Sequence, residues 1–192
     1  AALDEEDVQL VDMAVAECER RKELIISLQD FNRPTSGRLA PMDIHASINS
    51  ILLLIKKECK EKGIALEIRY AQDIPQIKAV SDQIKQVLLN LFNNAIYACV
   101  KGCTITVATQ RVSDEQISVT VSDTGIGIRP ENLDHIFEPF FTTKPEVKGT
   151  GLGLAVSYGI IKKHGGRIEV KSEVDKGTSF VVILTIEGVK DV

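Results

Sequence analysis

The stretch ISVTVSDTGIGI, residues 117–128, joins an alternating apolar strand to an acidic residue and two glycines. Ile117, Val119 and Val121 recur at the two-residue period of a half-buried strand. Asp123 then falls where the strand ends. A carboxylate at a strand end, in an apolar pocket, can accept a hydrogen bond from an exocyclic amine and so select adenine. Gly125 and Gly127 would let the backbone pass close to a flat base. A plain turn is the alternative reading of the same residues.

Upstream, a strand over Cys103–Gln110 joins this one through a polar turn at Ser113, Asp114 and Glu115. Before it, Ser81 can cap a helix that runs to about Val100. Gln86, Asn90 and Asn94 lie four apart and stack on one face of that helix. Asparagine is a weak helix former, so its repeated use costs stability. An amide oxygen offered to Mg²⁺ beside a phosphate is one use for that cost, and a solvated polar face is the other reading.

Downstream, GTGLGL over 149–154 opens a helix that runs to about His164. Free N–H groups at such a helix entrance suit phosphate. No G-K-[ST] follows, so the segment is not a P-loop. The loop KPEVK at 144–148 precedes it, so it is not a dinucleotide fingerprint. Phe137, Phe140 and Phe141, half of the six phenylalanines, crowd into FEPFFTTK at 137–144. They read as anchors of a mobile lid, or as a satellite cluster under a loop. Lys144 and Lys148 could reach phosphate oxygens from such a loop. A closing hairpin is expected from Arg167–Ser172 and Thr178–Ile186 around a turn at Asp175, Lys176 and Gly177.

At the other end, Val8, Val11, Val15, Cys18 and Ile25 set a helical stripe over residues 5–31, interrupted by Lys22. Residues 34–41, from Pro34 to Pro41, read as a linker. Asp43 can cap a helix with Ile44, Ile48, Ile51, Ile55 and Cys59 on one face, ended by Gly63. Ile64, Leu66, Ile68 and Tyr70 alternate as a strand. The expected fold class is α+β: a two-layer α/β sandwich, helices on one face of a mostly antiparallel sheet, preceded by a long N-terminal helix. The expected divisions are 1–33, 34–41 and 42–192.

A net charge of −4 disfavours nucleic acid as a partner. No apolar run reaches the length of a membrane span. Cys18, Cys59, Cys99 and Cys103 lack zinc-site spacing; Cys18 and Cys59, within apolar helical patterns, read as small buried hydrophobes, and a reduced, cytoplasmic setting fits.

The asparagine-rich helix, D-T-G-x-G-I, F-x-P-F and G-T-G-L-G-L, in that order, closely resemble the N, G1, F and G2 boxes of the sensor histidine kinases. These belong to the superfamily of gyrase, heat-shock chaperone and mismatch-repair ATPases, whose sandwich is of the Bergerat type. The resemblance covers roughly residues 7–186. It implies an ATP-binding catalytic domain with Mg²⁺ held by Asn94, a second polar contact from Asn90, and adenine read by Asp123. It implies that Gly125 and Gly127 line the base. Gly149, Thr150, Gly151 and Gly153 would cradle the phosphates, with Leu152 packed beside them. Thr178 would help hold the adenine side, and residues from about Ile128 to Thr150 would form the lid, with Lys144 facing phosphate.

The implied partners are the phosphoacceptor hairpin of the same kinase, a response-regulator receiver domain and a second copy of the intact protein. That protein could be anchored in the inner membrane. Two departures stand out. Many members carry a basic residue three positions after the Mg²⁺ asparagine, where this chain has Tyr97. And His45, His135 and His164 all lack the context of an acceptor histidine. The helix at 5–31, ending in Asp30, Phe31, Asn32, Arg33 and Pro34, resembles the second helix of that hairpin, which implies an acceptor on a first helix outside this chain. A gyrase-like ATPase would need a water-activating glutamate where Asn90 stands. An anti-sigma-type serine kinase fits poorly with the preceding helix. A nucleotide-binding module that only clamps a partner is the non-enzymatic alternative.

Overall fold

The structure is a computed structural model that describes residues 7, 9–11, 13–15, 17–18, 37–144 and 149–188. The described residues between 7 and 18 are helical, with Leu10, Val11, Met13 and Val15 exposed. Val8, Lys22 and Ile25, the rest of the expected helix to residue 31, Pro34 and Lys148 lie outside the described residues. Cys18 is exposed, which corrects the expectation of a buried thiol, whereas Cys59, Cys99 and Cys103 are buried and unbridged.

Helix α1 (Ile44–Lys62) starts as expected, with the Ala46 N–H donating to Asp43 Oδ1 at 3.1 Å, and Gly63 closes it. Its buried stripe is Ile44, Ile48, Ile51, Leu52, Ile55 and Cys59. Helix α2 (Ser81–Ala98) buries Ile84, Val87, Leu88, Leu91, Phe92, Ala95 and Ile96. Its cap differs from expectation. Ser81 is the first helical residue, and Val80 holds the cap position without a side-chain bond.

The N–H of Val80 donates instead to Nε2 of buried His164, 3.1 Å away, and His164 Nδ1 lies 2.8 Å from the Ile160 carbonyl. The imidazole is thus proton-bearing at Nδ1 and accepting at Nε2. It ties the start of α2 to the end of helix α4 (Gly153–Lys163). His164→Ala should leave the Val80 N–H without its acceptor and lower stability by about 2 kcal/mol in urea unfolding. An unchanged midpoint would show that the bridge contributes nothing.

Five strands form the main sheet, in the order β2 (Ala65–Arg69), β4 (Thr104–Arg111), β5 (Gln116–Asp123), β7 (Gly177–Thr185), β6 (Arg167–Glu173). The β2–β4 pair is parallel and the other three are antiparallel. The parallel pair needs a long crossover, which α2 supplies. Ile105, Val107, Ile117, Val119, Val121, Phe180, Val182 and Leu184 are all buried and meet the apolar stripes of the helices. Each such side chain contributes roughly 1.5–3 kcal/mol.

A second, two-stranded sheet pairs β1 (Ala40–Met42) with β3 (Ile77–Ala79), Ala40 opposite Ala79. Ala40 and Pro41, expected in the linker, are already paired there. Short strands of three residues carry too little alternation to be read from sequence. A short helix α3 (Pro130–Leu133) interrupts the expected lid.

Candidate active site

Strand β5 ends on Asp123, which is opposite Ile105 and points to the buried face of the sheet. The Gly125 N–H donates to its Oδ1 at 2.8 Å, and the Thr178 N–H also donates to the carboxylate. Burial pushes the Asp123 pKa up, and these two donors pull the other way. The loop beyond is clamped from both sides. The Ile126 N–H donates to the Ala98 carbonyl at the end of α2, and its own carbonyl accepts from Asp175 in the β6–β7 turn.

That clamp gives the glycines a reason of its own, apart from any ligand. A Cβ on Gly125 would lie 2.4 Å from the Ala98 oxygen, and one on Gly127 would lie 2.1 Å from the Glu173 oxygen. The close approach is to the protein's own backbone. Gly127 lines the cleft, whereas Gly125 does not.

On α2, Asn90 and Asn94 share a side but serve different neighbours. Asn90 Nδ2 donates to the Gly153 carbonyl (3.0 Å) and to Ser157 Oγ (3.2 Å), tying α2 to the first turn of α4. Asn94 Oδ1 accepts from Lys144 Nζ at 2.8 Å. The same ammonium lies 4.4 Å from the centroid of the Tyr97 ring. Burial, and then the charge of Lys62, lower the Lys144 pKa.

The glycine-rich entrance to α4 is built back to back with the phenylalanine segment. The Phe140 N–H donates to the Gly151 carbonyl at 3.0 Å. Both residues are left-handed, Gly151 with φ 67° and Phe140 with φ 67°. Phe140 is exposed, while Phe137 and Phe141 are partly buried against the core. The Leu152 N–H donates to Thr150 Oγ1, and the Leu152 side chain is buried in the core away from the cleft. On the opposite wall Ser172 Oγ donates to the Gly177 carbonyl and accepts from the Ile128 N–H. The nearby Thr178 hydroxyl, 2.9 Å from Ser172 Oγ, is left as the donor to it, and Thr178 lines the cleft.

These elements enclose one cleft of about 780 Å³. Its lining includes Asn90, Asn94, Asp123, Gly127, Lys144, Gly149, Thr150, Gly151, Gly153 and Thr178. Gly125 and Leu152 stand behind the wall. Sequence reading missed Asn93 and the pair Glu58–Lys62 (2.9 Å), which also line it. Glu58 and Lys62 come from the last turn of a helix distant in sequence, and no motif marks them.

The volume suits a small-molecule ligand, and the polar groups are few and convergent. A buried carboxylate faces an anion-favouring helix entrance across the cleft, and an amide oxygen already accepts from a cation, the Lys144 ammonium. The donor set therefore fits a nucleotide and a hard cation.

Fold and cleft together define a nucleotide-binding sandwich ATPase domain. A family model described as "Histidine kinase-, DNA gyrase B-, and HSP90-like ATPase" matches residues 79–188, and the chain belongs to that family. Within it, this is an ATP-binding catalytic domain of the sensor histidine kinase kind. The sensor histidine kinase ZraS of Escherichia coli is 38% identical over 178 residues, 93% of this chain and 38% of that protein. The chain thus spans about two-fifths of the length of the ZraS relatives it matches. The catalytic domain of histidine kinase ThkA superposes with a TM-score of 0.71 at 29% identity, over 78% of this chain and 96% of that one. Full-length ShkA in complex with AMPPNP superposes with a TM-score of 0.78 at 26% identity, over 100% of this chain and 41% of that one.

Proposed function

We propose that this chain is the ATP-handling part of a protein-histidine kinase. It would hold ATP with Mg²⁺ and present the γ-phosphate to a histidine on a dimerisation helix outside this chain, for relay to an aspartate of a response-regulator receiver domain. Supporting this is the convergence in one cleft of the Asp123 carboxylate, the Asn94 amide oxygen and the glycine-lined start of α4.

Asp123 orients adenine by accepting from its amine, and Thr178 adds a hydroxyl on the same side. Backbone N–H groups from Gly149 to Gly153 hold the phosphates, and Lys144 adds charge. Asn94 would hold the metal, whose chemistry is to neutralise phosphate charge during transfer. An imidazole nitrogen attacks the γ-phosphorus in line, and ADP leaves.

The chain's own histidines are poorly suited as acceptors. His45 Nε2 is bonded to Thr109 Oγ1, His164 is buried in its bridge, and His135 Nδ1 is held by Glu138 at 2.9 Å. Residues 1–33 are proposed as the second helix of the acceptor hairpin, 34–41 as the linker and 42–192 as the catalytic domain. The intact protein is proposed to be a homodimer working in the cytoplasm. No helix among the described residues is long and apolar enough to cross a membrane, so any anchor would lie elsewhere. Asn90 has no basic oxygen to activate water, and its amide is committed to Gly153 and Ser157, so an ATPase of the gyrase kind is not favoured.

Supplying an acceptor hairpin in trans with ATP and Mg²⁺ should produce acid-labile phosphohistidine. Tight ATP binding without any transfer would instead identify a clamp module. Asn94→Ala should abolish the gain in ATP affinity on adding Mg²⁺, on the order of tenfold, in calorimetry with and without chelator. A variant that still responds to the metal would remove Asn94 from its proposed role.

A further inference from the structure

ATP with its metal brings negative charge into a cleft whose lining offers two lysines among the described residues, Lys62 and Lys144. Lys62 is paired with Glu58 at 2.9 Å. Lys144 makes no ion pair among the described residues; its ammonium is held by Asn94 Oδ1 at 2.8 Å and by the face of Tyr97, 4.4 Å from the ring centroid. Both holds come from α2, one turn apart, and both grip a residue of the segment between Ile128 and Thr150. Tyr97 is also the residue that stands where many sensor kinases have a basic side chain.

We propose that Tyr97 is a positioning residue for phosphate binding: its ring docks the Lys144 ammonium beside Asn94, so that a cation carried by the lid replaces one fixed on α2. The inference rests on the ATP-site reading above.

A ring face suits this task better than a second hydrogen-bond acceptor. Cation–π attraction is broad in angle, so it tolerates a shift of the ammonium. If a metal ion takes the Asn94 oxygen, Lys144 loses that one partner, keeps the ring and swings to a phosphate oxygen. A basic residue at position 97 would charge the phosphate site permanently. Docked Lys144 supplies that charge from the segment facing α2 instead of from α2 itself.

Calorimetry with ATP and Mg²⁺ on the whole chain tests this. Tyr97→Leu should weaken ATP binding by about 3- to 10-fold, the range of a partly desolvated cation–π contact. Tyr97→Phe, which keeps the ring face, should restore most of that loss. In a Lys144→Ala background the Tyr97→Leu change should add little, because its effect runs through the missing ammonium. Adenosine, measured by displacement of a fluorescent nucleotide, should lose less than ATP does.

A Tyr97→Leu chain that binds ATP like the wild type would overturn the proposal. So would a loss that persists in full without Lys144, or one as large for adenosine as for ATP, which would place the ring against the nucleoside. Failure of the wild-type chain to take up ATP would sink the cleft assignment itself and this inference with it. Uptake by the wild type with any of the former results would sink the Tyr97 role alone.

Discussion

Asp123→Asn should lower ATP affinity by about 100-fold or more while leaving the fold nearly as stable. The carboxylate is buried at the end of β5 and accepts from the Gly125 and Thr178 N–H groups. Its remaining acceptor capacity is what an adenine amine would use. An amide offers one oxygen and one donor nitrogen, so either the base or a backbone N–H meets a donor instead of an acceptor. Losing a charge-assisted bond and creating a donor–donor contact together cost about 3 kcal/mol in binding.

The fold responds differently. Burial lifts the Asp123 pKa above the ordinary 3.8, so the folded chain keeps this proton to higher pH than the unfolded chain does. Its contribution to stability therefore falls as pH rises from that ordinary value through the folded pKa, and is flat above it. Asparagine removes this dependence, and stability at neutral pH should change by no more than about 1 kcal/mol in either direction. Calorimetry with ATP and urea unfolding between acidic and neutral pH check both halves. A variant that binds ATP normally would remove the carboxylate from adenine recognition.

Gly151→Ala should cost ATP about 30-fold or more in affinity while adenosine binding changes little. Gly151 has φ 67°, and a Cβ there would lie 2.3 Å from the Phe140 carbonyl carbon and 2.5 Å from its oxygen. The neighbour is backbone, so it cannot step aside as a flexible side chain would. A left-handed alanine costs about 1–2 kcal/mol before that clash is counted. Relief requires parting the Phe140–Gly151 pair, whose N–H to carbonyl bond is 3.0 Å, and that shifts the N–H groups at the start of α4. Asp123, on the far wall, is untouched. Equal losses for ATP and adenosine would show a general collapse of the cleft, not damage to the phosphate side.

The alternation at 117–121 and the helical stripes were legible because a buried face imposes period two or 3.6 on the chain. So were Asp123, Asn94 and the 149–153 glycines, since each sits in a local motif. What stayed hidden is long-range. Val80 caps α2 without a polar side chain because His164, far along the chain, receives its N–H. The Gly125 and Gly127 requirement comes from Ala98 and Glu173, which no local pattern couples to them. Lys62 reaches the cleft only because α1 packs on α2. Lys144 stands out in the sequence as a loop cation beside the glycines, but its seat on Tyr97 depends on how its segment lies against α2.

The small β1–β3 sheet has a mechanical consequence. Ala40 enters the domain against β3, and Lys78 of β3 accepts the returning chain, its N–H donating to the Ile186 carbonyl and its ammonium pairing with Glu187. Leu39 and Gly188 are close neighbours across that seam. The polypeptide therefore comes in and goes out at one corner of the sandwich. If residues 34–41 act as the proposed linker, two ends lying this close would leave the sandwich one corner about which to pivot. The same geometry makes it a cassette that a host protein can carry at one attachment point.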